Sequence, residues 1–139
     1  MVLDTNVVSE YTKPEPDPRV LEWIDQFAPE ELFITSTTFS ELVAGVMALP
    51  EGRRKNQLDD MTSAVITSFY DRVIPFDANA ALEYGRFVPD RAAIGHPRER
   101  ADGQIAACCI SAGAPLATRN LKDFRDIPGL VVINPWEAT

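Results

Sequence analysis

Short apolar runs alternate with amphipathic stretches along the whole chain, and several of the apolar runs end abruptly on a polar side chain. Residues 2–4, 32–35, 73–76, 115–118 and 131–133 have the length and β-branched content of strands, with Pro75 placing the third at an edge. Between them the period becomes helical. Residues 6–11 read as a short helix ended by the loop Lys13-Pro14-Glu15-Pro16, and Asp17-Pro18 reads as an N-cap followed by Pro at the first helical position. That helix carries Val20, Ile24 and Phe27 on one face. Ser36 is read as the cap of a helix running through Glu41 to about residue 48. Pro50 is read as opening the next, along which Leu58, Met61, Val65 and Phe69 recur at helical spacing. Asp77 caps a helix with Ala81, Tyr84 and Val88; residues 89–100 read as a basic loop. A last long helix over 101–112 ends where Gly113 supplies a left-handed cap.

Strands alternating with helices define an α/β fold, and 139 residues without a linker fit one domain over 1–139. Charges and prolines interrupt every apolar stretch before it reaches membrane-spanning length, and Asp4 and Glu10 occupy the stretch where a signal peptide would be basic and then apolar. A cytosolic protein without a membrane partner is the expectation. Cys108 and Cys109 are adjacent within a helical run and His96, before a proline, stands apart from them, so the cysteines read as core fillers rather than a disulfide or zinc site. The net charge of −8 opposes nucleic-acid binding, but its distribution is uneven: residues 86–125 hold seven bases against four acids. A local attraction for phosphate and an ordinary solvated surface both remain open on charge alone.

Four acids stand where chemistry gathers in such folds, at the carboxyl ends of strands and at adjoining helices. Asp4 ends the first strand. Glu41 lies among the small residues Thr37, Thr38, Ala44 and Gly45, a surface that lets a neighbour approach closely. Asp102 begins the stripe continued by Ile105, Ala106 and Cys109, and Asp123 follows the fourth strand. Singly, each acid also reads as a cap, a turn residue or a solvated charge. Together they change the picture: adjacent first and fourth strands would bring Asp4, Asp102 and Asp123 to one sheet edge, and clustered carboxylates call for a cation. An all-oxygen set suits Mg²⁺, with Mn²⁺ as a substitute, and Mg²⁺ takes one or two carboxylates directly while others hold its waters. Such sites suit phosphodiester hydrolysis.

The runs LDTNVVSE, TTFSELVAG, ADGQIAACC and ATRNLKDF, in that order, resemble the PIN-domain ribonucleases, and more narrowly the toxin subunits of VapBC-type toxin–antitoxin pairs in their FitB-like branch. The resemblance implies a three-layer α/β/α fold around a central five-stranded parallel sheet in the order 3-2-1-4-5. It implies that Asp4 and Asp102 bind Mg²⁺ most directly and that Glu41 and Asp123 complete a catalytic acidic pocket, with Asn6, Thr118 and Asn120 orienting acids or waters. It further implies an RNA substrate, with transfer RNA as the leading candidate, a homodimer, and a VapB-like antitoxin that wraps the toxin and makes the DNA contact of the pair. Apolar stripes available for such contacts, Val20, Trp23 and Ile24 and the Leu58, Met61, Val65, Phe69 row, read first as core. Cys108-Cys109 departs from the family, where small residues such as alanine or threonine usually stand.

Two other readings compete. A haloacid-dehalogenase-like phosphatase also starts with a strand ending in aspartate, but its chemistry calls for a second aspartate two positions on, where this chain has Asn6. A non-catalytic module on the same fold would bind RNA or protein through the 86–125 stretch. Retention of all four acids weighs against it.

Overall fold

The computed structural model describes residues 1–87 and 97–138. In chain order its elements are β1 (Val2–Leu3), α1 (Thr5–Val8), a 3₁₀ turn over Ser9–Thr12, α2 (Pro18–Ile24), a second 3₁₀ turn over Pro29–Glu31, β2 (Ile34–Thr35), α3 (Ser36–Met47), α4 (Arg53–Phe69), β3 (Val73–Ile74), α5 (Ala78–Phe87), α6 (Pro97–Ala112), β4 (Leu116–Ala117), α7 (Leu121–Phe124) and β5 (Val132–Ile133). Val88, His96 and the expected basic loop up to residue 96 lie outside the described residues, while 97–100 belong to α6 rather than to a loop.

The continuous five-stranded sheet implied by the resemblance is not formed. The strands make two parallel sheets, one ordered β1-β4-β5 and the other β2-β3. Between β1 and β2 there is only an isolated bridge at Val2 and Phe33, in which Leu3 N donates to Phe33 O at 2.8 Å and Phe33 N to Met1 O at 2.9 Å. Both chains leave the ladder too early to extend it. Asp4 already caps α1, with its side chain accepting from Thr5 N, and Thr35 caps α3 by accepting from Thr38 N. On the other side of the bridge, the Leu32 carbonyl accepts from the Arg72 guanidinium at 3.0 Å. A carbonyl used by a side chain is occupied in a way that ladder pairing does not share easily.

Alternation along each two-residue strand sends side chains to opposite faces. Leu3 joins a buried cluster with Val7, Val20, Ile24, Ile34 and Phe69, whereas Val2 joins one with Phe87, Ile105, Leu116, Phe124 and Ile127. Helices therefore cover both faces of the strands. Val20, Trp23 and Ile24 are core, as are Val65 and Phe69, while Met61 is partly exposed.

Local capping differs in two places from the sequence reading. Thr35, not Ser36, caps α3, because the Ser36 hydroxyl instead accepts from Phe76 N at 3.1 Å. Helix α4 starts at Arg53 rather than Pro50, behind Gly52, whose φ of 148° favours a residue without a side chain. Asp17 caps α2 and Gly113 ends α6 at φ 65°, as expected. Cys108 and Cys109 are free and buried. Burial pushes the Cys108 thiol up to about 11 and Cys109 higher still, so both stay protonated at neutral pH.

Helices α5 and α6 cross closely at Gly103. A Cβ there would stand 2.7 Å from the Tyr84 ring, which is itself fixed edge-on against Phe76 and Phe87 at centroid distances of 5.8 Å. Gly103→Ala is expected to cost about 1–3 kcal/mol of stability by overpacking, measured by urea unfolding. An unchanged midpoint would show that the ring yields freely.

Candidate active site

Asp4 is placed by the abrupt turn from β1 into α1. It is 3% exposed, and its carboxylate is heavily hydrogen-bonded. Oδ1 accepts from Thr5 N at 2.8 Å, and Oδ2 accepts from Thr118 Oγ1 at 2.6 Å and from Asn6 Nδ2 at 3.3 Å. Pairing of Val2 with Leu116 and Leu3 with Ala117 is what carries Thr118, the residue after β4, to this point. The side chain of Asn6 spans the gap, donating also to Thr118 Oγ1 at 3.2 Å and accepting from Arg119 N at 3.2 Å.

Glu41 comes from the second turn of α3. Its Oε1 accepts from Thr5 Oγ1 at 2.6 Å. Thr5 lies 3.1 Å from Thr38 Oγ1, which lies 3.3 Å from Thr35 Oγ1, and Thr35 and Thr38 are fully buried. Each hydroxyl has one proton, so the geometry allows a single direction: Thr35 donates to Thr38, Thr38 to Thr5 and Thr5 to the carboxylate. Asp102 stands in the N-terminal half of α6 at 9% exposure, at the head of the buried stripe Ile105, Ala106 and Cys109. Thr37 Oγ1 donates to Gln104 Oε1 at 3.1 Å, tying α6 to the helix that bears Glu41.

Asp4, Glu41 and Asp102 line one cavity of about 220 Å³, together with Thr5, Asn6, Ser9 and Asn120. Thr118 acts on it through Asp4. Asp123 lies on α7 and is not among the lining residues, although Asn120, the residue that precedes α7, is. Among the described residues no three of Asp, Glu, His and Cys are gathered tightly enough to hold an ion between them. A wall of oxygens in which at most two carboxylates need touch the ion still fits Mg²⁺, which keeps most of its waters.

Nothing in the sequence marks Thr5, which is one polar residue between Asp4 and Asn6. Its partner Glu41 is 36 positions away, and no local pattern announces such a bond. Thr5→Val is expected to leave the fold intact and to lower any hydrolytic activity of these acids about 10–100-fold, the usual effect of removing a group that orients an active-site side chain. Thr5→Ser, which keeps the hydroxyl, should recover most of it; equal loss in both variants would refute the hydroxyl's role.

Short parallel strands covered by helices on both faces, with Asp4, Glu41 and Asp102 lining one cavity, fit the PIN-domain architecture that the sequence resembles. The PIN-domain profile matches residues 1–130, and the chain belongs to that family. Within it the chain is closely related to the VapC- and FitB-type toxins of type II toxin–antitoxin systems. It is 39% identical to the plasmid stability protein StbB of Pseudomonas syringae pv. tomato over 99% of both chains. It is also 39% identical to the VapC ribonuclease Y4jK of Sinorhizobium fredii, over 99% of this chain and 98% of that one. Among solved structures it matches FitAcB from Neisseria gonorrhoeae at 33% identity and a TM-score of 0.86, covering 99% of both chains. The structure of FitAB bound to the IR36 DNA fragment matches at 33% identity and a TM-score of 0.85, over 99% of this chain and 96% of that one. No helix among the described residues is long and apolar enough to cross a membrane.

Proposed function

We propose that the chain is the toxin of a type II toxin–antitoxin pair and acts as a Mg²⁺-dependent endoribonuclease. The observation that carries this reading is the convergence of Asp4, Glu41 and Asp102, from three separate elements, on one cavity. Asp4 and Asp102 are the residues that would hold the cation, with Mn²⁺ a workable substitute. When bound, the cation supplies Lewis-acid activation of water and charge stabilisation at the leaving oxygen.

The chain's own residues do the rest. Thr118, Asn6 and the Thr5 amide hold the Asp4 carboxylate in one orientation. Glu41, fixed by the threonine chain, is the residue to accept a proton from the attacking water, because one of its oxygens is engaged by Thr5 and the other accepts no hydrogen bond among the described residues. Asp123 takes part at the edge of the site, close in sequence to Asn120, by adding negative charge that attracts the cation. A VapB-like antitoxin would neutralise the site and make the DNA contact of the pair, as the FitAB–DNA complex suggests by analogy. RNA, with transfer RNA the first candidate, is the substrate, and a homodimer is the expected assembly.

The test is the chemistry of the ends. Attack by water leaves 5′-phosphate and 3′-hydroxyl termini, whereas attack by the substrate's own 2′-hydroxyl leaves a cyclic phosphate. Products that ligate to a 3′ adaptor without phosphatase treatment support the proposal; cyclic phosphate ends would exclude it.

A further inference from the structure

The acids account for the reacting centre but not for how an acidic protein holds a polyanion against it. Arg119 is the exposed residue between two that matter to the cavity, Thr118 and Asn120. Its backbone is pinned to the site, since Asn6 Oδ1 accepts from Arg119 N at 3.2 Å while the same side chain donates to Asp4. Its guanidinium lies over the Trp136 ring, 5.0 Å from the centroid. Trp136 is 7% exposed and belongs to the core, and its own N–H of the backbone donates to Asn134 Oδ1 at 3.0 Å, so the ring is a fixed floor.

A guanidinium lying on an aromatic ring is ordered without using its N–H donors. Among the described residues that guanidinium makes no hydrogen bond or ion pair. Asp17 is close enough to attract it through space, but the hydrogen bonds to both Asp17 carboxylate oxygens come from Arg19, at 3.1 Å from Nε and 2.8 Å from a terminal nitrogen. The result is an oriented cationic fork with N–H donors to spare, on a residue whose backbone is tied to the carboxylate pocket. Such a fork matches the two oxygens of a phosphodiester, the group whose neighbour is to be cut.

We propose that Arg119, stacked on Trp136, is a binding residue for an RNA backbone phosphate flanking the scissile bond. This rests on the ribonuclease reading and adds to it a fixed point for the strand: one phosphate is held outside the pocket while the acids act on another. Its role is positioning through direct contact with substrate. The acidic wall beside it then disfavours any register in which a phosphate is not matched to this arginine or to the cation.

The test is the salt dependence of binding, which does not depend on turnover. Labelled unfractionated transfer RNA is titrated with antitoxin-free protein carrying Asp102→Asn to prevent cutting, with and without Arg119→Ala or Arg119→Lys. Loss of one phosphate contact is expected to weaken binding roughly 3–10-fold and to reduce the slope of log K against log salt by about 0.7–0.9. Arg119→Lys should retain the slope, because the charge stays, with only part of the affinity, because the fork is gone. An unchanged slope in Arg119→Ala, or a loss of affinity matched by a fall in melting temperature, would overturn the assignment and leave Arg119 as a clamp on Trp136. The two readings separate cleanly. Slope loss in a chain whose unsubstituted form binds RNA without cutting it would sustain Arg119 and remove the nuclease reading, and an unchanged slope in a chain that cuts would do the reverse.

Discussion

Asp4→Asn is expected to lower RNA cleavage by about a thousandfold or more, the scale set by several kcal/mol of transition-state stabilisation at a cation-dependent site. The substitution keeps size and shape but removes the charge and places an amide nitrogen in the carboxylate's position. That nitrogen must face either the Thr5 amide or the Asn6 side-chain amide, both donors in the native arrangement. One of these bonds is therefore lost, which costs about 1–3 kcal/mol, partly offset by relief of repulsion from Glu41 and Asp102. The variant should remain folded by circular dichroism, unfold cooperatively in urea and be inactive. Full cleavage by this variant would show that Asp4 is a cap and nothing more.

Phe124→Ala carries the largest expected cost in stability. Phe124 is fully buried against the cluster that holds Val2, Ile105 and Leu116. Truncating a buried phenylalanine costs about 3–5 kcal/mol. The consequence is local as well as global, since a four-residue helix has no stability of its own and α7 is held by its packing. Releasing it frees Asp123 and slackens the turn from Thr118 through Asn120. The measurement is cleavage at a temperature where the variant is still folded, beside Ile24→Ala, a core truncation in the other cluster. Phe124→Ala should lose substantially more activity than Ile24→Ala at equal folded fraction. Equal activity would show that α7 does not position the site.

Asp4 and Asp102 illustrate what is legible in the sequence. Asp4 was visible because an apolar strand ended on it, and the helical stripe after Asp102 announced which side of α6 is buried. Both are local patterns with a fixed period. The Asp17-Pro18 cap and the Gly113 stop were legible for the same reason, as each depends on its own backbone conformation. The unbroken sheet was not a safe inference, because apolar content places a segment in the core but does not decide which carbonyl pairs with which donor. At Leu32 the Arg72 side chain, 40 residues away, takes the carbonyl, and β2 begins only at Ile34.

The same limit applies at the site. Thr5 binds Glu41, and Arg119 stacks on Trp136, through partners that only the folded chain brings together. Glu10 is a further case: it is 1% exposed, accepts from Asp17 N at 2.8 Å and pairs with Lys13, holding the 13–17 loop. From the sequence it is one acid among twenty-one. Serine caps helices well, which points to Ser36, but Thr35 next to it also caps, and the strand pairing leaves Ser36 facing Phe76 N.

The most direct test of the account is cleavage of total RNA by antitoxin-free protein in Mg²⁺, in EDTA, and with Asp102→Asn. Defined cuts that require both the cation and Asp102 are the predicted result. Cutting that survives EDTA or the loss of Asp102, or intact RNA after incubation with folded wild-type protein in Mg²⁺, would contradict it.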